Sequence, residues 1–157
     1  MDMANKKASV FAAAKYLAQY SNWSLSNLEI QKLLYIADMV YLAKNKKPLL
    51  DRYFKASMYG PIIPILYHKL KIFGTDPVEN IFRQYFDLSN EEHQKIISEV
   101  YDELGAQPAV ILIAITQRPG SGWDKHYDKG SFGCIILEQS ILAEYQKLLD
   151  DGIFYAD

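Results

Sequence analysis

Hydrophobic positions are densest between Ser26 and Ala43, where Ile30, Leu33, Leu34, Ala37, Val40 and Tyr41 recur at helical spacing. Leu28, Ile36 and Met39 widen the stripe until little of the circumference is polar, the pattern of a helix buried on most sides. Ser26 and Glu29 have the spacing of a capping box, and Leu25 and Ile30 that of a hydrophobic staple. This stretch is therefore expected to be the central helix of a compact bundle. Its few polar side chains, Gln31 and Lys32 among them, then need a purpose.

The flanking patterns predict what packs around it. Val10, Phe11, Ala14, Leu17 and Ala18 mark a first helix over 7–20, antiparallel to the central one. Lys44 to Pro48 is a solvated stop. Phe54, Ala56 and Met58 then alternate with polar positions, which predicts a strand pairing with Leu49-Leu50 in a short two-stranded hairpin. Gly60-Pro61 makes a tight exit, and Pro64 opens a helix that reaches Phe73 and stops at Gly74, with His68, Lys69 and Lys71 facing water. Thr75 to Asp87 reads as a connection with one turn near Glu79 to Arg83, whose Ile81, Phe82, Tyr85 and Phe86 need cover. Ser89 and Glu92 suggest a second capping box, followed by Ile96, Ile97, Val100 and Leu104 and a stop at Gly105. Ala109 to Ile115 is a continuous apolar run that suits a buried strand or a helix, and Pro108, at a helical first position, favours the helix. Gln117 to Gly133 is a polar, glycine-rich loop in which Ser121 and Asp124 can cap a single turn. Cys134 to Leu137 is extended, Ser140 to Leu149 forms the last helix, and the tail from Gly152 is apolar for a chain end.

The expected class is thus mainly α: a helical bundle around a buried helix with a small β-hairpin, in one domain over residues 1–157. Charged residues make up 23% and the net charge is −2, so nothing suggests a disordered chain or a basic footprint for nucleic acid. One cysteine excludes an internal disulfide. No apolar run nears the roughly 20 residues that cross a bilayer, and no leader is evident, so a cytoplasmic protein is expected.

Candidate chemistry is sparse. His68, His93 and His126 lack metal-ligand spacing, and the glycines of 119–122 and 130–133 match neither the P-loop nor the dinucleotide fingerprint. Cys134 sits among apolar residues and reads as an inert core thiol. No cofactor, metal or catalytic set follows, and the chain reads as a non-enzyme. The 12 tyrosines, many beside lysine or arginine, point instead to a protein-binding surface, although Tyr16, Tyr41, Tyr67 and Tyr101 also suit core edges.

Two blocks carry a family resemblance. Leu28-Glu29-Ile30-Gln31-Lys32-Leu33-Leu34-Tyr35-Ile36-Ala37 resembles the signature of the Panacea domain, the SocA/GepA-like antitoxin family. Lys47-Pro48-Leu49-Leu50, Phe54-Lys55-Ala56 and Tyr59-Gly60-Pro61-Ile62-Ile63-Pro64-Ile65-Leu66-Tyr67 are similar to its next segment. Glu29 replaces the family's lysine, and Gln117 stands where the family has a histidine after Thr116, with a longer spacing from Pro119 to Trp123.

The resemblance implies a mostly helical domain that neutralises a cognate toxin protein and is commonly encoded beside it in bacteria or prophages. Some members deliver the toxin to a AAA+ protease as adaptors, for which the tail Ile153-Phe154-Tyr155 is the visible tether candidate. Many members carry an added DNA-binding domain, for which this chain has no room, so no nucleic-acid or membrane partner is expected. Partner contacts are expected at Lys32, Tyr35, Tyr59, Arg118 and Trp123, with Gln31, Gly60 and Pro61 as a structural motif. Gln31 and Lys32 either buttress the Tyr59-Gly60-Pro61 loop or reach the partner. Trp123 is either an exposed anchor beside Arg118 or a residue buried under its loop. The rival reading is a small-ligand enzyme using the glycine-rich loop and His126.

Overall fold

The computed structural model describes residues 6–129 and 133–154. In chain order these form α1 (Val10–Tyr20), α2 (Asn27–Asn45), β1 (Lys55–Ser57), β2 (Gly60–Ile62), α3 (Pro64–Leu70), α4 (Glu91–Leu104), α5 (Ala109–Thr116), α6 (Gly122–His126), β3 (Cys134–Ile135) and α7 (Glu138–Asp150). The protein is mainly α, with a small antiparallel sheet.

Helix α2 is the hub. Every residue from Ile30 to Met39 is buried, and α1, α3, α4, α5, α7 and β2 all pack on it. Its N-terminus has the expected capping box: the Glu29 N–H donates to Ser26 Oγ at 3.3 Å and the Ser26 N–H to Glu29 Oε1 at 2.9 Å. It ends at Lys46 in the left-handed conformation. The apolar run after Pro108 is helical, with Pro108 at the N-cap one position before the helix.

The hairpin differs from expectation. Strand β1 pairs with β2 across a two-residue turn, Met58-Tyr59, and its other edge takes β3, so three strands lie in the order β2-β1-β3. Leu49-Leu50 does not join this sheet. The Ala8 N–H donates to Leu49 O at 2.7 Å and the Asp51 N–H to Ala8 O at 2.9 Å, forming an isolated bridge with the N-terminal segment. That bridge also explains why α1 starts at Val10 instead of Lys7. Ala8 is held extended, Ser9 caps the helix, and Asp51 Oδ1 accepts from the Val10 N–H at 3.0 Å.

Smaller corrections have similar causes. Asn90, not Ser89, caps α4, accepting from the Glu92 and His93 N–H groups. Lys69 is half-buried, its ammonium 5.0 Å from the Tyr85 ring centroid and 5.9 Å from that of Phe11. The turn expected near Glu79 to Arg83 lies slightly later, at Phe82–Tyr85, where the Tyr85 N–H donates to Phe82 O at 2.9 Å. Phe82 is buried there, while Phe86 stays 93% exposed. Among the described residues no helix is long and apolar enough to cross a membrane.

Candidate functional site

Asn27, Gln31, Tyr35 and Asp38 recur along one side of α2, with Lys32 beside them, and all five are buried. A buried polar group without a partner is costly, so each must find one, and each finds it on a different segment. Asn27 Nδ2 donates to Tyr67 O at 3.2 Å. Gln31 bridges Asn27 Oδ1 (3.2 Å) and the Ile63 N–H, which it accepts at 2.8 Å. Lys32 Nζ donates to Tyr59 O at 2.6 Å. Tyr35 OH donates to Glu144 Oε1 on α7, also at 2.6 Å. Asp38 Oδ1 accepts from the Leu49 N–H at 2.7 Å. Four of these five groups thus serve backbone atoms of the segments packed over the central helix, and Tyr35 serves a carboxylate of α7.

The turn at Met58-Tyr59 is held from two directions. Lys32 takes the Tyr59 carbonyl from the core side, and Trp123 Nε1 on α6 donates to Ser57 O at 2.6 Å. Gly60, which follows, has φ +92°, and a Cβ there would stand 3.1 Å from Gln117 Nε2 and 3.2 Å from Lys32 Nζ. The positive φ favours glycine there, and a side chain would in addition crowd the ends of Gln117 and Lys32. The ends of the Gln117 and Lys32 side chains thus both border Gly60. Burial lowers the Lys32 pKa to about 8, because removal from water disfavours the charged form.

A second junction ties α6 to α7. Glu144 Oε1 accepts from both Tyr35 OH and the Gly122 N–H, the latter at 2.9 Å. The Gly122 position has no room for a side chain, since a Cβ would lie 2.6 Å from Tyr35 OH and 2.9 Å from Ile136 Cγ2. Burial raises the Glu144 pKa, a shift opposed by the Tyr35 and Gly122 hydrogen bonds and by Arg118. Ser121 caps α6 by accepting from the Asp124 N–H at 3.1 Å, as its spacing suggested.

The residues singled out from the sequence fall into two sets. Gln31, Lys32 and Tyr35 are interior, and Pro61 and Gly60 lie buried in β2 beside them. Tyr59, Trp123 and Arg118 lie at the surface boundary. Tyr59 is 42% exposed and stacks on Tyr67 at 5.6 Å. Trp123 is half-buried and stacks on Tyr127 at 4.7 Å. Arg118 pairs with Asp151 at 2.7 Å, leaving its NH1 buried without a partner.

Sequence reasoning missed Asn27, Asp38 and Glu144, and marked Gln117 only as a departure from the resembled family's pattern. The first two carried a readable signal, because they continue the polar spacing of Gln31 and Tyr35 on one helix face. Glu144 had none, since only packing brings α7 to α2.

His126 hydrogen-bonds Ser140 Oγ at 2.9 Å. It lines neither the groove between α2, α4 and α7 nor the smaller hollow beside Asp38. Cys134 is half-buried on β3. Of the second glycine group, Gly130, Ser131 and Phe132 lie outside the described residues, as does Tyr155 of the tail. Phe154 packs on Tyr145, with ring centroids 6.2 Å apart. Among the described residues no three His, Cys, Asp or Glu side chains converge as a metal site.

Comparison with known proteins adds a family. Antitoxin SocA of Caulobacter vibrioides (strain NA1000 / CB15N) is 29% identical over 110 residues, which cover 64% of this chain and 58% of that protein, so the match spans little more than half of the relative. No solved structure matches the chain. The family model described as "Antitoxin SocA-like, Panacea domain" matches residues 30–124, which take in Gln31, Lys32, Tyr35 and Asp38 on α2, the Tyr59 turn and the start of α6. The chain belongs to the SocA-like Panacea-domain antitoxin family.

Proposed function

We propose that this chain is an antitoxin that neutralises a toxin protein by binding it directly, without catalysis. The observation that carries the reading is the match over residues 30–124, which takes in the turn at Tyr59 together with Lys32 and Trp123, the two residues that brace it. Tyr59 faces solvent on a turn fixed from inside by Lys32 and from the side by Trp123. A braced turn loses little entropy when a partner closes on it, and tyrosine and tryptophan are favoured where interfaces bury most of their energy. In this reading Tyr59, with Trp123 and Arg118 at its edge, meets the toxin. Lys32 and Tyr35 act from the interior as positioning groups, and Gln31, Gly60 and Pro61 set the turn's geometry.

Neutralisation is by masking in this reading, with no need for a protease. The test is co-expression with the product of the adjacent gene, read as growth rescue and as recovery of the pair by pull-down. Rescue with a stable complex is expected, and rescue should persist in a host lacking its AAA+ unfoldases while the toxin accumulates intact. Absence of both rescue and complex overturns the antitoxin reading. Rescue that disappears with the unfoldase overturns masking and assigns the chain to an adaptor role.

A further inference from the structure

Another face of α2 carries Ile36 and Val40 into a groove closed by α4 and α7. Ile96, Val100 and Leu104 of α4, Tyr145 of α7 and the adjacent Phe154 add to its apolar lining. Its volume is about 430 Å³, within the range of about 300–1,000 Å³ usual for binding pockets. Apolar grooves of this kind accept the hydrophobic face of a helix through anchors spaced i, i+3 or i+4, and i+7.

The charge around the groove is one-sided. Glu99 and Glu103 line it from α4, and α4 as a whole carries Glu91, Glu92, Glu99, Asp102 and Glu103 against one cation, Lys95. Lys95 lies 3.9 Å from Glu99, with both side chains largely exposed, a pairing worth little in water. Glu103 makes no hydrogen bond or ion pair among the described residues. Glu99 and Glu103 are four residues apart on one helix face, where like charges repel, so an incoming cation relieves them both. Lys44 is the one cation in the lining, at the C-terminal end of α2, where it complements that helix's own dipole.

We propose that this groove is the docking site for a basic amphipathic helix of the protein partner, its apolar face on Val40, Val100 and Tyr145 and its lysines or arginines against Glu99 and Glu103. The partner is the toxin, so the assignment rests on the antitoxin reading. The surface is distinct from the Tyr59 turn.

The test uses the full chain and labelled helical peptides of about five turns, read by fluorescence anisotropy. One peptide has a leucine face flanked by lysines, a second the same face flanked by glutamates, and a third keeps the lysines without the leucines. The lysine-flanked leucine peptide is expected to bind at least about tenfold more tightly than either control. Ala43→Trp, which fills the groove, and the double change Glu99→Lys with Glu103→Lys are each expected to weaken it at least about tenfold. Circular dichroism and thermal melting check that each variant folds. If Ala43→Trp does not fold, the charge reversal at exposed positions decides alone. Equal binding of the lysine- and glutamate-flanked peptides, or full affinity in the charge-reversed variant, overturns the proposal. A concentration-dependent dimer abolished by the same variants gives the groove to a second copy of the chain and also overturns it. Growth rescue separates the two readings. Rescue by both the native and the charge-reversed chain removes the groove and leaves the antitoxin, whereas peptide binding without rescue by the native chain leaves the groove and removes the antitoxin.

Discussion

Lys32 Nζ donates to the Tyr59 carbonyl at 2.6 Å, joining the most buried helix of the protein to the tip of its hairpin. A buried ammonium is a costly way to hold a turn, and its charge gives the contact a pH dependence. Its pKa lies near 8 in the folded chain, against 10.5 in a free lysine. The folded state therefore binds fewer protons than the unfolded state between these values, and stability contributed by this group rises with pH across that window. Urea melts of the native protein and of Lys32→Met between pH 8 and 9.5 should show a rising difference in favour of the native chain. Equal slopes would place the ammonium in water.

The opposite sign is expected at Asp38. Burial raises its pKa to about 6, against the Leu49 and Leu50 hydrogen bonds that lower it. A carboxyl raised above its unfolded value of 3.8 favours the fold fully when protonated in both states, and that contribution is lost as pH rises through 6. The stability of the native chain minus that of Asp38→Asn should accordingly grow as pH falls from about 7 to about 4. A flat difference in chemical denaturation would show that Asp38 is solvated.

Tyr35→Phe removes one of the two donors to Glu144 Oε1 and leaves a buried carboxylate, whose Oε2 already has no partner, poorly satisfied. The expected cost at pH 7 is about 1–3 kcal/mol. The loss should shrink in the Glu144→Gln background, because the charge that needs the hydroxyl is gone. A double-mutant cycle showing simple additivity would mean that the two side chains do not act together.

Gly60→Ala should cost about 1–3 kcal/mol, since alanine is strained at φ +92° and its methyl would press on Gln117 and Lys32. Gly122→Ala should cost a similar amount for a different reason, the contact of its methyl with Tyr35 OH and Ile136. Adding Gln117→Ala should recover part of the first loss and none of the second. Thermal melts of the three single variants and the two doubles decide this.

What the sequence determined alone was local. The capping box of Ser26 and Glu29, the all-round apolar character of α2, the helix opened by Pro64 and the cap at Ser121 depend on neighbours within a few residues, so spacing and side-chain chemistry suffice to read them. The turn expected at Gly60-Pro61, by contrast, falls at Met58-Tyr59, because Gly60 and Pro61 pair in β2. The family blocks lie in these same segments, which is why the antitoxin family was also legible. Tertiary structure decided the partners. Lys32 meets Tyr59, Tyr35 meets Glu144 and Asp38 meets Leu49 because packing α2 at the centre buries polar groups that must each be satisfied by whichever segment lies over them. Leu49-Leu50 left the predicted hairpin for the same reason: Asp38 and Ala8 hold its backbone, and β1 takes β2 and β3 instead. Hydrophobic periodicity says which side of an element is buried. It carries no information on what covers that side, because burial is non-directional while hydrogen bonds require particular atoms in place.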